Sequence, residues 1–94
     1  MNDIEIVLDR PRRIRFDIKG LRDLERVLGK PVGQALTDFM QLGAEALAIF
    51  LWGGLRHEAR NLTIDQTVEL VQGFLERDGD IADLRAAIND ALLL

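Results

Sequence analysis

His57 and Glu58 are adjacent, and a histidine beside a carboxylate is a common starting point for acid–base chemistry. The spacing works against it here. Neighbours on a helix point in different directions, and the chain holds one histidine and no cysteine to complete a constellation. His57 to Asn61 reads HEARN, without the second histidine of a zinc-binding HExxH helix. Leu28-Gly29-Lys30-Pro31 contains a Gly-Lys pair but lacks the glycine five residues earlier and the following Ser or Thr of a phosphate loop, and a helix stop followed by a proline start accounts for it. No catalytic, metal or cofactor site is expected. The plainer expectation is that Arg56 and His57 bond the last carbonyls of their helix while Glu58 pairs locally.

Arg10, Arg12, Arg13 and Arg15 form the one basic cluster. On a two-stranded ribbon they suit either a DNA groove or an acidic partner, and a solvated hairpin whose arginines meet Glu5 and Asp9 is the preferred reading. The scarcity of aromatic residues there and the chain's formal charge of −4 make nucleic acid the lesser alternative.

The elements that must position these residues centre on Gly43 to His57, where ten consecutive residues from Ala46 to Leu55 are apolar or glycine. This reads as a helix without a polar face, wrapped on all sides or capped by a partner. A bilayer crossing takes about 20 apolar residues, so the segment is too short for one. Trp52 is the only tryptophan, and both a core anchor and an interface hot spot suit it.

Upstream, Ile4, Ile6 and Leu8 alternate with Glu5, Val7 and Asp9, and after Arg10-Pro11 Ile14, Phe16 and Ile18 alternate with Arg13, Arg15 and Asp17. That predicts a hairpin over residues 1–17 with Pro11 in its turn and one apolar face, which must lie on helices or gain strands from another subunit. Asp17 is placed to cap a helix from Ile18 to Leu28, with an apolar stripe of Leu21, Leu24, Val27 and Leu28 and a stop at Gly29. Pro31 permits a second helix, Val32 to Met40, whose Ala35, Leu36, Phe39 and Met40 share a face. Thr63 and Gln66 form a capping-box pattern ahead of a helix facing inward with Ile64, Val68, Val71, Phe74 and Leu75. Asp80 can cap a last helix carrying Ile81, Leu84, Ile88, Ala91 and Leu92. Leu92-Leu93-Leu94 then exceeds what one face hides, which suggests a contact.

At 94 residues this is expected to be one domain, residues 1–94, of the α+β class: mainly helical, with an N-terminal hairpin and about five helices around the central one. Charge is uneven. Residues 1–30 hold eight Lys or Arg and six Asp or Glu, and residues 31–94 hold four and ten. MNDIEIVL lacks the basic start and apolar run of a secretion signal, so a cytoplasmic protein is expected.

Phe50 to Thr63, FLWGGLRHEARNLT, resembles a signature of the small tail assembly chaperones of long-tailed bacteriophages and prophages, a Leu-Leu-Trp-Ala-Gly-Leu-Arg-His-Glu-Asp-Pro run leading to Leu-Thr. Leu51, Trp52, Gly54, Leu55, Arg56, His57, Glu58, Leu62 and Thr63 fit it. Gly53 replaces alanine and Ala59-Arg60 replaces Asp-Pro, changes expected to loosen the helix and remove a stop signal. Arg15-Phe16-Asp17 and Leu21 to Glu25 are similar to the family more loosely. The resemblance implies a non-enzymatic protein of the bacterial host cytoplasm. Such a protein escorts the tape-measure protein before tail tube protein polymerises around it. Surplus apolar residues add the expectation of a homo-oligomer, with Trp52, Leu55, Arg56, His57, Leu92, Leu93 and Leu94 as candidate interaction residues. A small DNA-binding or regulatory module using Arg10, Arg12, Arg13 and Arg15 is the alternative.

Overall fold

The computed structural model describes residues 3–37 and 43–92. Strands β1 (Ile4–Val7) and β2 (Pro11–Ile14) form an antiparallel hairpin in which Ile4 faces Ile14, Glu5 faces Arg13 and Ile6 faces Arg12. Pro11 begins the second strand instead of occupying the turn, a position where a missing N–H costs the ladder little. Asp17 then redirects the chain. Its carboxylate accepts the Gly20 N–H at 2.7 Å, so Ile18 opens helix α1 (Ile18–Leu28) instead of extending the strand's apolar face, and Ile18 is 77% exposed. The hairpin face lies on helices of its own chain, with Leu8, Ile14 and Phe16 fully in the core.

Gly29 ends α1 at φ 72°, a left-handed conformation that glycine adopts without strain. Leu24 is buried and Leu21 and Leu28 are half-buried, but Val27 turns outward. Helix α2 (Val32–Thr37) starts where the Glu25 carboxylate accepts the Val32 N–H at 2.9 Å. Of its expected face Ala35 is buried, while the Leu36 side chain, Phe39 and Met40 lie outside the described residues.

Helix α3 (Ala44–Leu55) is wrapped by the protein itself: α1, β2, α4 (Ile64–Glu76) and α5 (Ile81–Leu92) all pack on it. Eight of the nine residues from Leu47 to Leu55 are buried, Ile49 being the exception. The glycines explain how so much packs so closely. A Cβ on Gly54 would lie 2.6 Å from Ile14 Cγ2 and 3.0 Å from Phe16 Cζ, and one on Gly20 would lie 2.6 Å from the Gly53 carbonyl oxygen. Gly54 thus admits the hairpin, and its carbonyl accepts the Arg15 N–H at 2.8 Å. The pair does more than loosen the helix; it lets α1 and β2 approach the backbone of α3.

Helix α4 carries the capping box its sequence predicts, with Thr63 and Gln66 exchanging bonds of 3.0 Å. Its roll differs from expectation. Thr67 is fully buried because its hydroxyl donates to the Thr63 carbonyl at 2.9 Å, and Val71 lies one turn further along the same inward line. Val68 and Leu75, expected inside, are 41% and 37% exposed. Asp78 takes φ 65° at the following turn, Asp80 accepts the Ala82 N–H, and α5 buries Leu84, Ile88 and Ala91. The chain is therefore a mainly helical α+β fold.

Candidate functional site

The residues that carry the family resemblance tie the fold together. The Trp52 indole N–H donates to the Leu62 carbonyl at 2.8 Å, and the side chain is 9% exposed, so the tryptophan is an anchored core residue. Arg56 stacks over that ring at 5.0 Å, donates to Asp23 of α1 at 3.2 Å, and also donates to the Arg60 carbonyl. His57 Nε2 lies 2.8 Å from the Arg13 carbonyl of β2, and Glu58 approaches Arg12 at 3.9 Å. The expected bonds from Arg56 and His57 to carbonyls of their own helix are not what forms. Both follow the last helical residue, and their side chains reach sideways to α1 and the hairpin. Leu55 is fully buried and has no surface to offer a partner. Leu92 is half-buried against the core, and Leu93 and Leu94 lie outside the described residues.

The basic cluster is divided among different tasks. Arg12 shares the inward parity of Ile14 and is 7% exposed, with its guanidinium forked onto Asp9 at 2.9 and 3.0 Å. That hydrogen-bonded pairing, against a smaller opposing effect of burial, holds the Asp9 carboxyl below its ordinary range and raises the Arg12 guanidinium. Arg15 forks onto Asp3 at 2.6 Å with the same two directions of shift. Arg10 and Arg13 remain exposed, with Glu5 directly across from Arg13 and Asp3 3.9 Å from it. A ribbon reader of DNA loses Arg12 to the interior and has carboxylates among its remaining arginines.

Among the described residues, two concave surfaces stand out. One is a groove of about 350 Å³ between the start of α3 and the outer side of α4, with Val68, Val71 and Leu75 along its floor and Glu45, Asp65 and Gln72 at its edges. Valines and leucine at this helical spacing form a short apolar stripe with an acidic rim. The other is a cleft of about 630 Å³ where α1, the end of β2 and the turn after α3 meet, lined by Arg15, Lys19, Arg22, Arg56 and Arg60 beside Ile18.

The chain matches no protein-family model, no curated protein and no solved structure. Its chemistry therefore rests on the geometry above. Among the described residues no group of three or more His, Cys, Asp or Glu is gathered as metal ligands, and no helix is long and apolar enough to cross a membrane.

Sequence reasoning missed both open surfaces. The α4 groove had a partial signal, since burying Thr67 rolls Val68 and Leu75 outward. The cleft joins Arg15, Lys19 to Arg22 and Arg56 to Arg60, which only the tertiary fold brings together. Arg12 was readable: its parity in the alternation matches Ile14 and Phe16.

Proposed function

We propose that this chain is a tail assembly chaperone, a non-enzymatic escort that holds the tape-measure protein in the bacterial host cytoplasm until tail tube protein surrounds it. The supporting observation is the α3–α4 groove, where exposed Val68 and Leu75 form an apolar floor between Glu45 and Asp65. Such a groove suits one stripe of an amphipathic helix, with basic residues of the client meeting the acidic rim. The resemblance of Phe50 to Thr63 supports a tape-measure client, and the groove is the surface that suits one.

Several copies along one long helix make later binding events effectively intramolecular, so each contact stays weak enough for tube subunits to displace. The folded chain relocates the apolar surface available for this work. The hairpin face and the all-round apolar helix are covered internally, whereas Val7, Ile18, Val27, Val68 and Leu75 are the large apolar residues left exposed among those described. Co-expression with a phage tape-measure protein tests the proposal. The client is expected to stay soluble and co-purify with several copies of the chaperone. A client equally soluble without the chain, or soluble but never co-purifying with it, would count against the assignment.

A further inference from the structure

The cleft at the meeting of α1, β2 and the turn after α3 differs in chemistry from the α4 groove. Arg15 is held by Asp3, Arg56 is held by Asp23, and Arg22 lies 3.8 Å from Asp23. The side chains of Lys19 and Arg60 are exposed at the same cleft and have no carboxylate partner among the described residues. Asp17 is engaged with the Gly20 N–H, so its charge is turned partly to the backbone. Ile18, at 77% the most exposed large apolar residue described, lines the same cleft as these cations. We propose that this cleft binds an acidic peptide segment of a partner protein, with carboxylates on Lys19 and Arg60 and an adjacent apolar side chain on Ile18.

Charge distribution selects a peptide over a long polyanion. Residues 61–92 carry two Arg and seven Asp or Glu, and the whole chain is at −4, so an extended phosphate backbone is repelled by most of the molecule. A segment with a few carboxylates senses only the charges within about 10 Å, one screening length at moderate salt. Asp17 and Asp23 on the cleft wall oppose a continuous line of phosphates but leave room for separate side chains. The apolar wall has no use to a phosphate backbone and suits a leucine beside glutamates. This inference rests on the cleft itself and is independent of the client assigned to the groove.

Fluorescence anisotropy with a labelled Leu-Glu-Asp-Leu-Glu-Asp peptide tests it, together with the lysine-substituted peptide, a single-stranded oligonucleotide and inorganic phosphate as competitor. The acidic peptide is expected to bind in a salt-sensitive way, and Lys19→Glu with Arg60→Glu should weaken it at least about tenfold. The milder Lys19→Gln with Arg60→Gln pair keeps the test available if charge reversal disturbs folding, and thermal melting checks both. Arg26→Glu with Lys30→Glu, outside the cleft, should change binding less than about twofold, whereas Ile18→Ser should weaken it a few fold. Equal losses from both charge pairs would overturn the site, as would absence of binding at millimolar peptide or tighter binding of the oligonucleotide. So would sedimentation in which the cleft variants change self-association without changing peptide binding, since the occupant would then be a second copy of the chain.

Discussion

The turn after α3 and the outer side of α4 face opposite requirements. Around the turn, Trp52, Arg56, His57 and Glu58 are tied to α1, to the hairpin and to Leu62, and little of them is free for anything else. On α4, Val68 and Leu75 have no such ties and stay open to solvent. The most unusual stretch of the sequence is thus engaged in holding the fold, while a surface suited to a partner is built from ordinary valine and leucine. A distinctive run of residues can mark a structural joint as readily as a binding site, and burial separates the two.

This contrast breaks first at Gly54. Gly54→Val must displace Ile14 and Phe16, whose atoms already lie 2.6 and 3.0 Å from the position of a Cβ. The expected loss is about 3 kcal/mol, with thermal melting lowered by roughly 12 °C or more. A variant as stable as the parent would show that the joint is loose and that its residues are available for other work.

A smaller effect is expected at Asp9. Asp9→Asn leaves the buried Arg12 with Glu58 at 3.9 Å as its nearest carboxylate, and a loss of about 1–2 kcal/mol follows after allowing for the partial exposure of Asp9. The Asp9 carboxyl is depressed in the fold, so its stabilisation is complete above the unfolded aspartate value of about 4 and is lost as pH falls through the lower folded value. Denaturant titrations across pH 2–7 should therefore show the variant and parent converging at the acid end. A constant gap would mean the pairing contributes nothing through protonation.

Gly53→Ala sharpens the same comparison with the least perturbation. Its Cβ would meet Leu24 Cβ at 3.2 Å, a tight contact set against a helix-propensity gain of about 1 kcal/mol, so stability should stay within about 1 kcal/mol of the parent. Together with Gly54→Val it separates a position where alanine fits from one where no larger side chain does. A destabilisation as large as at Gly54 would place both glycines in the same unyielding contact.

Much of this architecture was legible because local chemistry dictated it. Asp17, Thr63 with Gln66, and Asp80 each bond the helix starts their side chains predict, and Gly29 ends α1 in the left-handed region. The buried surroundings of α3 followed from its lack of a polar face. Side-chain facing was less legible where a polar residue competed with apolar ones: Thr67 took the inward place expected for Val68 by bonding its own backbone. The site was least legible of all. The cleft draws on three segments far apart in sequence, and the open groove depends on the roll of α4, which periodicity alone left one position off.

The most direct measurement of the proposed function is retention of a tape-measure protein by a groove variant. Val68→Asp with Leu75→Asp changes two exposed residues, so its melting temperature should stay within about 4 °C of the parent, because surface substitutions cost about 0.5 kcal/mol or less each. Co-purified client should nevertheless fall about tenfold, since two charges would face its apolar stripe. Full client retention by this folded variant would contradict the account, as would equal loss in a Lys19→Glu with Arg60→Glu protein whose groove is intact.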